Sequence, residues 1–215
     1  MNGDGGMSGR TFLSSLKFAG YVIFHPFKGF YELKYEKRGR LSSGLCYLIL
    51  YFLSVVLKES LTGYLYGGNN GGSFSIIVCL LRAVVPILLF GVANWCLTLM
   101  LNGEGKMVEI LTALFYAFIP MTVNNILFTL LSNVFSLEES MYLTLITALC
   151  IVWTAFLVMI AVMQTNQYAF MRSVFSCFLS IVGIAVLLLI ILLCGDLIGQ
   201  VFDFIVSLVK EISYR

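Results

Sequence analysis

Five uncharged apolar blocks, at about 41–57, 83–101, 110–131, 141–163 and 174–194, constrain this chain more than any other feature. Each is close to the ~20 residues an α-helix needs to cross a hydrocarbon layer. Water is absent there, so a spanning segment must satisfy its own backbone hydrogen bonds, and a helix does so within itself. The expected fold is all-α: a polytopic membrane protein with a five-transmembrane-helix bundle and an amphipathic interfacial helix at each end. An apolar content of 60% and a mean hydropathy of +0.98 exclude an ordinary soluble domain.

Five spans and their breaks use nearly all of the 215 residues. The expected division is a disordered Gly-rich tail over 1–10, a cytoplasmic amphipathic juxtamembrane segment over 11–40, the membrane domain over 41–195 and an amphipathic helix over 196–215. Charge placement orients the bundle. Seven of the 13 Lys and Arg residues precede the first span: Arg10, Lys17, Lys28, Lys34, Lys37, Arg38 and Arg40. Lys106 and Arg172 fall in the two breaks on the same side. The positive-inside rule then puts the N-terminus in the cytoplasm and the C-terminus outside.

Before the first span, Phe12, Leu16, Ala19 and Ile23 recur with helical spacing, as on a helix lying in the cytoplasmic interface. His25-Pro26 ends that helix, because the residue before proline is disfavoured in the α region. A second short helix is expected over 28–38, closed by Gly39, with Phe27, Phe30, Tyr31 and Tyr35 toward the membrane and Glu32, Lys34, Glu36 and Lys37 hydrated. Arg82 argues for starting span two near Ala83, with 74–81 interfacial. Pro86 and Pro120 should bend spans two and three. After span five, Asp196, Gln200, Asp203, Ser207 and Lys210 form a polar stripe. This segment is too short and charged to span, and an amphipathic helix on the outer surface is expected.

Enzyme signatures fail in turn. Gly6-Met7-Ser8-Gly9 matches a rhomboid-type G-x-S-G string, but it lies in the tail and no histidine occupies a span. Glu138-Glu139 resemble the glutamate pair of CAAX-type proteases, yet Leu143 stands where that motif has arginine. The turn Asn102-Gly103-Glu104-Gly105-Lys106 is followed by Met107, not the Ser or Thr of a phosphate loop. His25 is the only histidine, which excludes a multi-histidine metal site. The six cysteines read as packing residues. No catalytic residue, cofactor or metal is expected.

Polar residues inside spans are costly and mark function or interhelical contact. They are Asn94 in span two and Asn124 and Asn125 in span three, and packing is the preferred reading. Trp95 and Trp153 fall near mid-span and are expected to pack against other helices.

His25-Pro26-Phe27-Lys28-Gly29-Phe30-Tyr31-Glu32, continuing to Tyr35-Glu36-Lys37-Arg38-Gly39, resembles the segment before the first span in bacterial Yip1-family proteins. Asn94-Trp95-Cys96-Leu97-Thr98 leading into Asn102-Gly103-Glu104-Gly105-Lys106 is similar to their N-W…D-G-x-G pattern, and Glu211-Ile212-Ser213-Tyr214-Arg215 fits their terminus. The likeness covers about 17–215. It implies five membrane helices with a cytoplasmic N-terminus, in a bacterial cell membrane. The Rab GTPase association of eukaryotic members is not implied, because their acidic D-L-Y-G-P-type segment has no counterpart here.

The expected function is a non-enzymatic membrane adaptor or scaffold, associating with other membrane proteins, with itself or with membrane lipids, and with no nucleic acid. His25, Pro26, Phe27, Phe30 and Tyr31 are the candidate contact residues. The alternative is a channel or accessory subunit of a transporter, with Asn94, Asn124 and Asn125 along its path.

Overall fold

The computed structural model describes residues 18–35, 41–61, 75–135 and 139–213, all helix and short turns with no strand among the described residues. Gly6–Gly9, Phe12, Leu16, Lys17, Glu36–Arg40, Glu138 and Tyr214-Arg215 lie outside them. The elements are α1 (18–24), α2 (Pro26–Tyr35), α3 (Leu41–Leu61), α4 (Ile76–Met100), α5 (Met107–Ala117), α6 (Ile119–Ser132), α7 (Ser140–Asn166) and α8 (Phe170–Ser213). Taking α5 and α6 as one bent span, five helices are long and apolar enough to cross a membrane.

Proline explains one break and spares another helix. Pro120 has no N–H to give the carbonyl of Tyr116 and its ring crowds that carbonyl. The span breaks at Phe118 (φ −85°, ψ 1°), and α6 begins with proline in its first turn. Pro86 sits inside α4, whose helix continues on both sides. The α5 segment is central: Ile110 and the run Thr112–Ala117 are buried. Around it, α3 lies beside α6, α4 beside α8, and α7 against both α5 and α6.

The N-terminal helices depart from the expectation of a surface-lying segment. His25 breaks the chain between α1 and α2 as expected, stacking on Tyr21 (5.1 Å) while its carbonyl accepts from Gly29 N–H (2.8 Å). The inner face, however, is Phe18, Ala19, Val22, Phe30 and Leu33, all buried in one core with Tyr116, Ala117, Leu157, Ile160 and Ala161. Small alanines on α5 and α7 make room for the aromatic rings. Phe30 is therefore a core residue (1% exposed), whereas Phe27, Tyr31 and Tyr35 stay about half exposed. Lys34 is not simply hydrated: its ammonium donates to the carbonyl of Thr165 (2.9 Å).

Two further boundaries differ. The α4 helix starts at Ile76, because Arg82 is held by Glu59 of α3 (3.0 Å) and needs no helix end to reach a partner. The α8 helix runs unbroken for 44 residues, about 66 Å at 1.5 Å per residue, so 196–213 extends the last span without a separate helix. No proline interrupts its Leu- and Ile-rich run, and Gly195 and Gly199 are tolerated within it. Its first half packs through Ser173, Ser176 and Ser180. Described side chains from Leu188 to Glu211 are exposed, the Asp196–Lys210 stripe among them. Trp95 packs against the core cluster of Ile87, Ile110, Leu114 and Phe115, but Trp153 is 40% exposed and touches Phe156 of its own helix.

Candidate functional site

On the α2 side of the bundle, two helix ends are built alike and pressed together. The α4 helix ends with Asn102 in the left-handed region (φ 51°) and Gly103 N–H bonded to the Thr98 carbonyl (3.0 Å). The α7 helix ends with Gln167 left-handed (φ 55°) and Tyr168 N–H bonded to the Met163 carbonyl (3.0 Å). Both are Schellman endings, which satisfy carbonyls the helix leaves open. Asparagine adopts this backbone readily. Glutamine does so at a cost of roughly 1–2 kcal/mol, which other contacts must offset.

Those contacts converge on Gln167. Its amide nitrogen donates to the Glu104 carboxylate (2.6 Å) and to the Tyr35 hydroxyl, tying the α7 end to both the 102–106 turn and α2. Arg172 reaches across to the Leu101 carbonyl and lies over the Tyr168 ring (4.9 Å). The glycines are what let the turns meet. A Cβ on Gly105 would collide with Oδ1 of Asn166, and one on Gly103 with the Tyr168 hydroxyl and Thr98. Lys106 precedes α5, and its N–H donates to the Glu109 carboxylate (3.4 Å).

Beneath the turns lies a buried cluster of neutral polar groups. Asn94 donates through Nδ2 to the hydroxyls of Ser176 (3.3 Å) and Ser180 (3.0 Å) on α8. Its Oδ1 accepts from Asn166 Nδ2 (3.2 Å) on α7. Asn166 Oδ1 accepts from the Thr98 hydroxyl (3.2 Å), which also lies 2.7 Å from the Asn94 carbonyl. All five residues are buried. None is titratable near neutrality, so the cluster joins three helices and carries no proton.

Asn124 and Asn125 belong elsewhere. Asn125 donates to Ser54 (3.3 Å) and accepts from Lys58 (3.5 Å), joining α6 to α3. Asn124 donates to Thr147 (3.4 Å) on α7. Among the described residues the three asparagines share no hydrogen-bond partner. Of the expected contact residues, Phe27 and Tyr31 border a groove with Lys28, Glu32 and Gln164. Phe30 faces the core and Trp95 the neighbouring helices, and neither joins the amide cluster.

Sequence reading does not single out Asn166, Gln167 or the α8 serines. Ser173, Ser176 and Ser180 recur at i, i+3 and i+7 in an apolar span, the spacing of one helix face. The polar run Gln164–Gln167 between two spans was the other available signal.

The Yip1 domain family model matches residues 20–193, from α1 through the packed half of α8. No curated protein and no solved structure matches the chain. The family match takes in α2 to α7, the packed half of α8 and both facing turns, and the chain is a multi-pass membrane protein belonging to the Yip1 family.

Proposed function

We propose that this protein is a non-enzymatic membrane adaptor that meets another membrane protein through the outward face of α2, on the cytoplasmic side. The observation that carries this reading is the two-sided build of α2. Phe30 and Leu33 anchor it in the core, while Phe27, Tyr31 and Tyr35 are left half exposed beside Lys28 and the groove reaching Gln164. Rigidly presented aromatic rings give large contact area at small entropic cost, which is why they recur in interface hot spots. Lys34 and Tyr35 tie this helix to the α7 end, so the face is held at a set height above the span ends.

A photo-cross-linker in place of Tyr31, activated in native membranes, tests the reading. A discrete protein adduct that disappears in a Phe27→Ser background supports an adaptor. Adducts with lipid alone overturn it. A transport path through Asn94, Asn124 and Asn125 draws less support, because their hydrogen bonds are taken up by neighbouring helices in separate places.

A further inference from the structure

A cavity of about 270 Å³ opens between α3, α4, α5, α7 and α8, walled by residues that include Tyr51, Ala83, Pro86, Phe90, Phe118 and Ile184. An apolar cavity of roughly 150 Å³ already stays dry and takes up benzene, so this space is suited to hydrocarbon and not to water. Its charged element is Arg82, whose side chain is 72% exposed and paired at 3.0 Å with Glu59.

Depth decides what hydrocarbon can reach it. Counted from Met100 at 1.5 Å per residue, Phe90 stands about 15 Å up the span and Arg82 about 27 Å. A hydrocarbon layer is about 30 Å thick. The cavity therefore runs from near mid-membrane to the headgroup boundary of the leaflet away from α2, with its charged pair at the boundary. Guanidinium carries five N–H donors, and Glu59 engages one nitrogen, Nη1. A cation and a carboxylate side by side complement a phosphate and an amine in one headgroup.

We propose that this cavity is a binding site for one amine-bearing phospholipid. One acyl chain fills the space between Pro86 and Ile184, the phosphate rests on Arg82 and the headgroup amine on Glu59. The site is independent of the α2 face, so either assignment can fail alone.

The test is native mass spectrometry of the protein released from nanodiscs of equal phosphatidylethanolamine and phosphatidylglycerol. One retained lipid per chain is expected, with phosphatidylethanolamine several-fold enriched. Ala83→Phe, which fills the cavity, should abolish retention, and Arg82→Gln should release the lipid at lower activation energy. No retained lipid, equal retention in Ala83→Phe, or no preference between the two lipids overturns the proposal. If Ala83→Phe does not fold, a phosphatidylethanolamine with a photoactivatable acyl chain is applied to the unaltered protein. Adducts at Ala83–Phe90 and Ile184 support the site, and adducts confined to outward residues such as Leu80 and Leu81 overturn it.

Discussion

Asn166 donates its side-chain amide to Oδ1 of the Asn94 side chain at 3.2 Å, in full burial, linking the last residue of α7 to the half of α4 nearer α2. Each asparagine spends its other amide atom as well, Asn94 on two serines and Asn166 on Thr98. Side-chain bonds of this kind between membrane helices contribute about 0.6–2 kcal/mol each. Here several share two residues: losing Asn94 strips partners on α7 and α8, and losing Asn166 strips two on α4.

Asn94→Ala and Asn166→Ala should each destabilise the bundle by about 1–3 kcal/mol, the cost of orphaning buried partners. The double variant should cost clearly less than the sum, because the two residues share one network. Thermal unfolding of the four proteins in one detergent measures this. Additive losses would show that the pair does not act as a unit.

Gly105→Ala should lower the unfolding temperature, since its Cβ meets Asn166 Oδ1 and must push the two turns apart. Gly199→Ala has open space around it and should be neutral or slightly stabilising, as Ala favours helix over Gly. Equal effects in a side-by-side melt would contradict the close approach of the turns.

Phe30→Ala should cost about 3–5 kcal/mol, as for a buried aromatic ring. Phe27→Ala should stay within about 1 kcal/mol, in line with surface substitutions. Chemical denaturation in mixed micelles separates them. A small loss for Phe30→Ala would mean α2 is not docked in the core.

Gln167→Ala removes the contacts to Glu104 and Tyr35. Amide hydrogen exchange in Pro26–Tyr35 should rise several-fold while α5 stays protected, because weakly tied elements open locally before the whole fold does. Unchanged exchange in α2 would leave Lys34 and the Phe30 anchor as its sufficient ties.

Arg82→Gln should change stability by less than about 1 kcal/mol, the usual worth of an exposed ion pair. A larger fall in the unfolding midpoint would give the Arg82–Glu59 pair a structural role beyond its place at the cavity mouth.

Much of the candidate site was legible in parts but not as a site. Asn94, Gly103 and Gly105 stand out in sequence because amides in apolar spans and glycines in short turns are unusual. Their meeting with Asn166 and Gln167 was not readable, since those residues sit in the break between two spans, where polar residues are ordinary. Phe30 shows the reverse error. Helical spacing groups it with Phe27 and Tyr31, but only the alanines of α5 and α7 decide that its ring turns inward.

By itself the sequence determined an all-helical, five-span membrane protein, because length and hydropathy measure the one demand that lipid makes on each segment separately. It also placed the helix break at His25-Pro26 and the bend at Pro120, which follow from local covalent geometry. Tertiary structure alone decided which polar side chains became partners, where α4 began, and that α8 continued past Gly195. Those outcomes depend on what a neighbouring helix offers: Glu59 for Arg82, Asn166 for Asn94, and for the far half of α8 no protein neighbour among the described residues. Hydropathy is a property of one segment and carries no record of the facing one.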